Sequence, residues 1–333
     1  MFITDQVTSL FHKLQPDVIK FINLVDSLSS EQAISELNKI STAIRLQSSA
    51  WEDESEEVLN ELYLLNKLIK LMGSYSAIWM NITGSKFADS WYSLQDSLDH
   101  LRSVKKFSKG TGIRLIDFLE NQLIELEKLY PYNLFFSMGA KVDWFECSIC
   151  GKDIDSLECE HIKGELYRGK LAYGTAKGIR SIDHVAMVKY PQDKRCVIKY
   201  EDNGPQFMPV RYLADLLTSK TMNPLSFHHL VFSKRMEKST EFKKLPKNEI
   251  CFCGSGRKFK KCCIDKEFIE FEHIDIVPHR IDEERDFETG AACLLLYEKD
   301  LIQTSCGGNK GQGSRQTQTL LLQGPNKIEG MIS

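Results

Sequence analysis

Seven cysteines and one histidine carry the spacings in this chain that could do chemistry. Cys251, Cys253, Cys262 and Cys263 stand within the thirteen residues CFCGSGRKFKKCC, and Cys147, Cys150 and Cys159 precede His161 in CSICGKDIDSLECEH. Thiolates are soft donors and imidazole is borderline. Four of them converging suit a tetrahedral Zn2+, and a shell filled by four protein ligands leaves no position for water or substrate. Both groups are therefore expected to be structural zinc sites.

In the first group, C-x2-C with Gly151 is a turn that aims two thiolates at one point. Cys159 and His161 are two apart, so on an extended segment both face the same side. A thioredoxin-like redox pair needs its C-x-x-C at the start of a helix after a strand, and IDSLECEH offers no helix. Glu160-His161-Ile162, downstream of C-x-x-C-G, superficially resembles the start of an HNH nuclease motif, but no Asn and second cysteine pair follow. A metal-dependent nuclease or hydrolase sited in 147–230 is the enzymatic alternative, with His184 and His228-His229 as its spare histidines. The segment ELYRGK after His161 is expected to wall the first site.

In the second group, Cys251 and Cys253 face one ion from an extended segment. Gly254-Ser255-Gly256 reverses the chain, and RKFKK forms a short helical turn that returns Cys262 and Cys263. Arg257, Lys258, Lys260 and Lys261 surround the thiolates and favour their deprotonated form. Phe259 is the one large apolar residue between the glycine turn and the second cysteine pair, placed to cap the sulfurs.

This pattern resembles the SEC-C motif, a zinc-binding module found at the C-terminus of the translocation ATPase SecA and on many other bacterial proteins. Asn248, Cys251, Cys253, Gly254, Ser255, Gly256, Lys258, Lys260, Lys261, Cys262 and Cys263 match it. Arg257 and Phe259 are mild replacements, whereas Ile250 and Phe252 stand where the family has prolines. The likeness covers about twenty residues and no phosphate-binding G-x-x-x-x-G-K-[ST] loop accompanies it. It implies a basic recognition knob: the SecA module docks a chaperone, and similar modules are associated with ribosome contact. The stretch from LEKLYPYNLFFSMGA through CEHIKGELYRGK is similar to uncharacterised bacterial and phage-associated zinc proteins, and a phage- or defence-associated interaction protein is a further alternative.

Charge supports a docking role. Between Val231 and Cys263 ten Lys or Arg stand against three Glu, a net of +7 in a chain of net -3. Six of the ten lie upstream of the cysteines, where no thiolate needs balancing. The expected partner is an acidic protein or a ribonucleoprotein, including RNA phosphate itself.

Several elements must position these groups. Phe87, Trp91, Leu94, Leu98 and Leu101 step by four and three, so they line one helix face. Leu62, Leu65, Ile69 and Met72 do the same, as do Leu119, Leu123, Leu126 and Tyr130, where Pro131 stops the helix. Ser29 and Gln32 form a capping-box pattern before Ile34, Leu37 and Ile40. An antiparallel bundle of four to six helices is expected over residues 1–131. From Pro131 the composition shifts: HVAMVKY and RCVIKYED are short, β-branched and separated by turn signals. PVRYLADLLTS is one more helix, with Pro209 at its start.

The resulting expectation is an α+β multidomain chain. It comprises a helical bundle (1–131), a zinc-binding β-rich domain (132–230), a basic connector with the SEC-C knob (231–270) and a partly disordered tail (271–333). Hydrophobic residues make up 42% and charged residues 27%, enough for ordinary packed cores. No apolar run approaches the roughly 20 residues of a membrane span, and MFITDQVTSLFHKLQPD lacks a basic start before an apolar core. The ten cysteines are absent from residues 1–146 and clustered after it, which favours metal over disulfides and a cytoplasmic location.

Overall fold

Five helices open the chain in the computed structural model, which describes residues 2–109, 114–238, 246–251, 255–278 and 318–321. They are α1 (Asp5–Asp26), α2 (Ser30–Ala50), α3 (Glu56–Thr83), α4 (Phe87–Phe107) and α5 (Arg114–Glu127). The stripes predicted for α3, α4 and α5 are all buried. α3 also buries Leu64, Leu68 and Leu71, because it packs against α1, α2, α4 and, later in the chain, the helix at 208–218. A helix covered on several sides needs more than one apolar stripe.

α2 departs from the expected register. Ser29 is its N-cap residue, but its side chain caps nothing and lies 3.0 Å from the Ser27 hydroxyl. Ala33, Ile40 and Ile44 are buried while Ile34 is exposed.

The remaining elements are β1 (Phe135–Cys147), β2 (Leu166–Tyr167), β3 (Lys170–Leu171), β4 (Gly174–Val188), α6 (Met208–Thr218), β5 (Phe227–Lys238), β6 (Phe268–Pro278) and β7 (Gln318–Leu321). β1 pairs antiparallel with β4 along its whole length, β2 with β3, and β6 lies between β5 and β7 in an antiparallel sheet. The fold is thus a mixture of six helices and small antiparallel sheets among the described residues.

One apolar core runs from α1 through α5 to Phe207, Val210, Leu213 and Leu217 around α6, then to Phe227 and Leu230 of β5 and Ile274 and Ile276 of β6. It takes residues from both sides of positions 131/132 and 230/231. Polar ties accompany it: the buried Asp26 accepts from the Leu225 amide at 2.6 Å, and Gln122 donates to the carbonyls of Pro224 and Phe227 at 2.8 and 2.6 Å.

RCVIKYED is not a strand. Its side chains are held by α4 instead: Arg195 pairs with Asp96 and Asp99, and Asp202 accepts from the Ala88 amide at 2.7 Å, while Trp91 Nε1 donates to the carbonyl of the preceding Lys194 at 2.9 Å. The start of the expected basic connector is likewise β5, whose Lys234 and Arg235 pair with Glu270 and Asp275 of β6. The first residues of the expected tail, 271–278, belong to β6, and residues 239–245 of that connector and the rest of the tail, apart from β7, lie outside the described residues. No helix among the described residues is long and apolar enough to cross a membrane.

Candidate metal centres

The first centre forms where β1 ends. Cys147 is its last residue, and the Gly151 amide donates back to the Cys147 carbonyl at 2.9 Å while the Cys147 amide donates to the Lys152 carbonyl at 2.8 Å. This tight turn presents Cys147 and Cys150 together. Cys159 and His161 return on the following irregular segment. One ligand atom from each of the four residues lies within 4.8 Å of all the others. Cys150 Sγ is 3.6 Å from Cys159 Sγ, which is 3.8 Å from His161 Nδ1. Tetrahedral Zn–S bonds of about 2.3 Å set sulfurs about 3.8 Å apart, so the donor set fits such an ion.

The electrostatics of the turn favour a thiolate. Burial pushes the Cys147 thiol up, but the backbone amides of Cys150 and Ile149, with the neighbouring thiols, bring it below its ordinary value. At Cys159 the His161 backbone pulls down, and burial with the Cys150 and Cys147 sulfurs pushes the thiol up beyond it. Like charges crowd here, and a cation relieves the crowding.

Tyr167 of ELYRGK closes the wall. Its ring meets the His161 imidazole edge-on at 4.7 Å between centroids, and its hydroxyl accepts from the Ile162 amide at 2.9 Å. These contacts orient the imidazole, the role expected of groups just outside a metal's ligands. The unit is also tied to the helices. The Gly169 amide donates to Asn60 Oδ1 at 2.7 Å, and Lys106 pairs with Glu165 at 3.0 Å.

The second centre stands on a bridge between Ile250 and Lys258. The Cys251 amide donates to the Arg257 carbonyl at 2.7 Å and the Phe259 amide to the Glu249 carbonyl at 2.8 Å. Gly256 at φ +67 supplies the left-handed residue of the reversal. One 3-10 turn, Phe259–Lys261, then delivers Cys262 and Cys263, whose sulfurs are 3.6 Å apart. The sulfurs of Cys251, Cys262 and Cys263 lie within 4.8 Å of one another. Cys253, the expected fourth ligand, lies outside the described residues. Phe259 is 1% exposed and packs with Cys251 and Cys263, as the cap of the sulfur cluster should. Arg257, Lys258, Lys260 and Lys261 are exposed around it.

The spare histidines do not converge on the first centre. His184 pairs with Gly139, eight residues along β1 from Cys147, about 26 Å at the strand rise of ~3.3 Å per residue. The His228 and His229 rings meet each other edge-on within β5, 5.2 Å between centroids.

Some polar groups had no local signature. The ties through Asn60 and Lys106 join residues far apart in sequence. So does a trio on the sheet, in which the buried His273 Nε2 lies 3.2 Å from the buried Asp275 Oδ1 and the half-exposed Arg235 holds the same carboxylate at 2.8 Å. The alternation in EHIDIV is the one local hint of it.

Residues 248–264 match the family model described as the SEC-C motif, a zinc-binding motif; the match covers this module alone. No curated protein and no solved structure matches the chain.

Proposed function

We propose that this chain is a zinc-built docking protein of the cytoplasm. Two closed Zn2+ centres, Cys147/Cys150/Cys159/His161 and Cys251/Cys253/Cys262/Cys263, shape its surface. The second presents Arg257, Lys258, Lys260 and Lys261 to an acidic protein or a ribonucleoprotein.

The observation that carries this reading is the inside-out arrangement of the knob. Cys251, Cys263 and Phe259 are buried, and the four cations between them in sequence all point to solvent. Among the described residues none of the four cations is in an ion pair, whereas Lys234 and Arg235 upstream are both paired. A cluster of unpaired cations on a small scaffold is costly to assemble through mutual repulsion, and it favours an anionic surface by releasing that surface's counterions.

The test is binding of the purified full-length protein to two fluorescent probes, a mixed-sequence single-stranded RNA and an acidic peptide. The reading expects one of them to bind, with affinity falling steeply with salt. Lys258→Glu with Lys260→Glu and Lys261→Glu should weaken binding at least tenfold while zinc content stays unchanged. Failure of both probes, or affinity indifferent to the charge reversal, rejects the reading.

A further inference from the structure

The β1–β4 ribbon has one continuous apolar face that nothing among the described residues covers. Alternation along β1 puts residues 136, 138, 140, 142 and 144 on the same side. Opposite them the register places Met138 against Val185, Ala140 against Ile182 and Val142 against Ile179. The spacing on β4 is uneven because the register shifts twice, after Gly139 and after Lys141. Each shift leaves one β4 residue, Asp183 or Arg180, without a partner of its own. Without these bulges Ala140 would face Asp183 and Val142 would face Ser181. The bulges therefore exchange polar residues for Ile182 and Ile179 on this face, and bulges of this kind re-aim side chains. The displaced residues find partners among the odd-numbered residues of β1: Arg180 with Asp143, and Asp183 with Lys141 at 3.9 Å.

The face is open to solvent. Met138, Ile179, Ile182 and Val185 are each 61–64% exposed, and Phe136, Met187 and Trp144 extend the patch toward the two ends. It is held in place at both ends. Phe135 is buried in the helical core with Val188 packed beside it, and Cys147 enters the first metal centre. A two-stranded ribbon is marginal by itself, and an exposed apolar patch above a few hundred Å2 marks an interaction site.

We infer that a second copy of this chain covers the face, two ribbons packing face to face as a two-layer sandwich about a two-fold axis. Three observations select this occupant. Seven large apolar side chains, Phe136, Met138, Trp144, Ile179, Ile182, Val185 and Met187, are 36–64% exposed on the face, which amounts to several hundred Å2, the order of the ~800 Å2 each partner contributes to a standard interface. The face carries one ion pair, Lys177 with Glu146 at 2.6 Å, internally neutral and near the metal end. It therefore offers little net charge for a charged partner or an anionic lipid surface to read. An apolar ribbon face can also pack on a second copy of itself about a two-fold axis, and a second sheet ~10 Å away supplies the missing layer.

The experiment is sedimentation equilibrium of the full-length, zinc-loaded protein. The expected mass is twice the 38.2 kDa of the chain. Ile182→Asp with Val185→Asp should raise the dimer dissociation constant at least tenfold, and Ser137→Asp with Ser181→Asp, on the opposite face, should leave it unchanged. Circular dichroism and zinc content report whether the variants fold. Independently, a photo-crosslinking benzoylphenylalanine in place of Met138 should join two chains, with the crosslinked peptide falling in 136–144 or 179–187. A monomeric wild-type chain, one that floats with phosphatidylglycerol vesicles as a monomer, a dimer indifferent to the apolar-face variant, or a crosslink elsewhere would each overturn the inference.

Discussion

The backbone amide of Gly169 donates to the side-chain oxygen of Asn60 at 2.7 Å, joining the β2–β3 turn to the start of α3 across 109 residues of sequence. The contact is close: a Cβ on Gly169 would lie 2.9 Å from the Leu59 carbonyl oxygen, and the residue sits at φ +74. The first candidate metal unit is thereby fastened to the bundle by a position only glycine suits.

Gly169→Ala should therefore lift the β2–β3 turn from α3. The expected result is faster hydrogen exchange at residues 164–172 and a stability loss of about 1–2 kcal/mol. Bound metal should be retained, because no ligand is touched. Unchanged exchange in that segment would show the contact to be dispensable.

Phe259 makes a separate prediction for the knob. Truncating a buried phenylalanine costs about 3–5 kcal/mol, and this knob's core consists of Phe259 and the cysteine sulfurs, with Ile264 beside them. Phe259→Ala should make the second metal ion leave at lower chelator concentration, by more than tenfold. The thermal transition of the helical core should not move, since Phe259 has no part in that core.

Asp26 sets a pH dependence. Burial raises its carboxyl from 3.8 to about 6, opposed in part by hydrogen bonds from Leu225 and Asn223. A raised acid favours the fold while it is protonated, so this contribution is complete below about pH 4 and is lost as pH climbs through 6. Asp26→Asn keeps an acceptor for the Leu225 amide without the charge. Stability measured from pH 4 to 7 should decline less in the variant than in the wild type, with a difference of up to ~3 kcal/mol at pH 7. Parallel curves would contradict the assignment.

Gln122 is the polar counterpart in the core. It is 1% exposed, accepts from the Tyr75 hydroxyl at 2.6 Å and donates to the Pro224 and Phe227 carbonyls. Gln122→Leu removes all three bonds and leaves buried polar atoms without partners, each worth about 1–3 kcal/mol. A loss of about 3 kcal/mol or more is expected in chemical denaturation, and a loss under about 1 kcal/mol would show that water replaces the amide.

These residues also show what could be read along the chain. The stripe Phe87, Trp91, Leu94, Leu98 and Leu101, the group Cys147, Cys150, Cys159 and His161, and the grouping of Cys251 with Cys262 and Cys263 were legible because helix periodicity and ligand spacing are local. So was Phe259, the one large apolar residue between the glycine turn and the second cysteine pair. Ile34 is exposed because α2 turns Ala33, Ile40 and Ile44 to the core, a register that the capping-box pattern of Ser29 and Gln32 does not reveal. RCVIKYED has strand-like composition, yet Arg195 and Asp202 are held by α4, and tertiary contacts override β propensity. The pairing of Lys234 and Arg235 with Glu270 and Asp275 depends on a strand some forty residues later. The bulges that turn Ile182 and Ile179 onto one face depend on register, which strict alternation along β4 conceals.

The central claim is that two metal ions build the two centres, and zinc content per chain tests it most directly. The full-length protein, purified without added chelator, should contain two zinc ions by mass spectrometry of the element. Cys147→Ser with Cys150→Ser should retain one, and Cys251→Ser with Cys263→Ser should retain the other. A folded, helical wild-type chain carrying less than one zinc, or either double variant still carrying two, would contradict it.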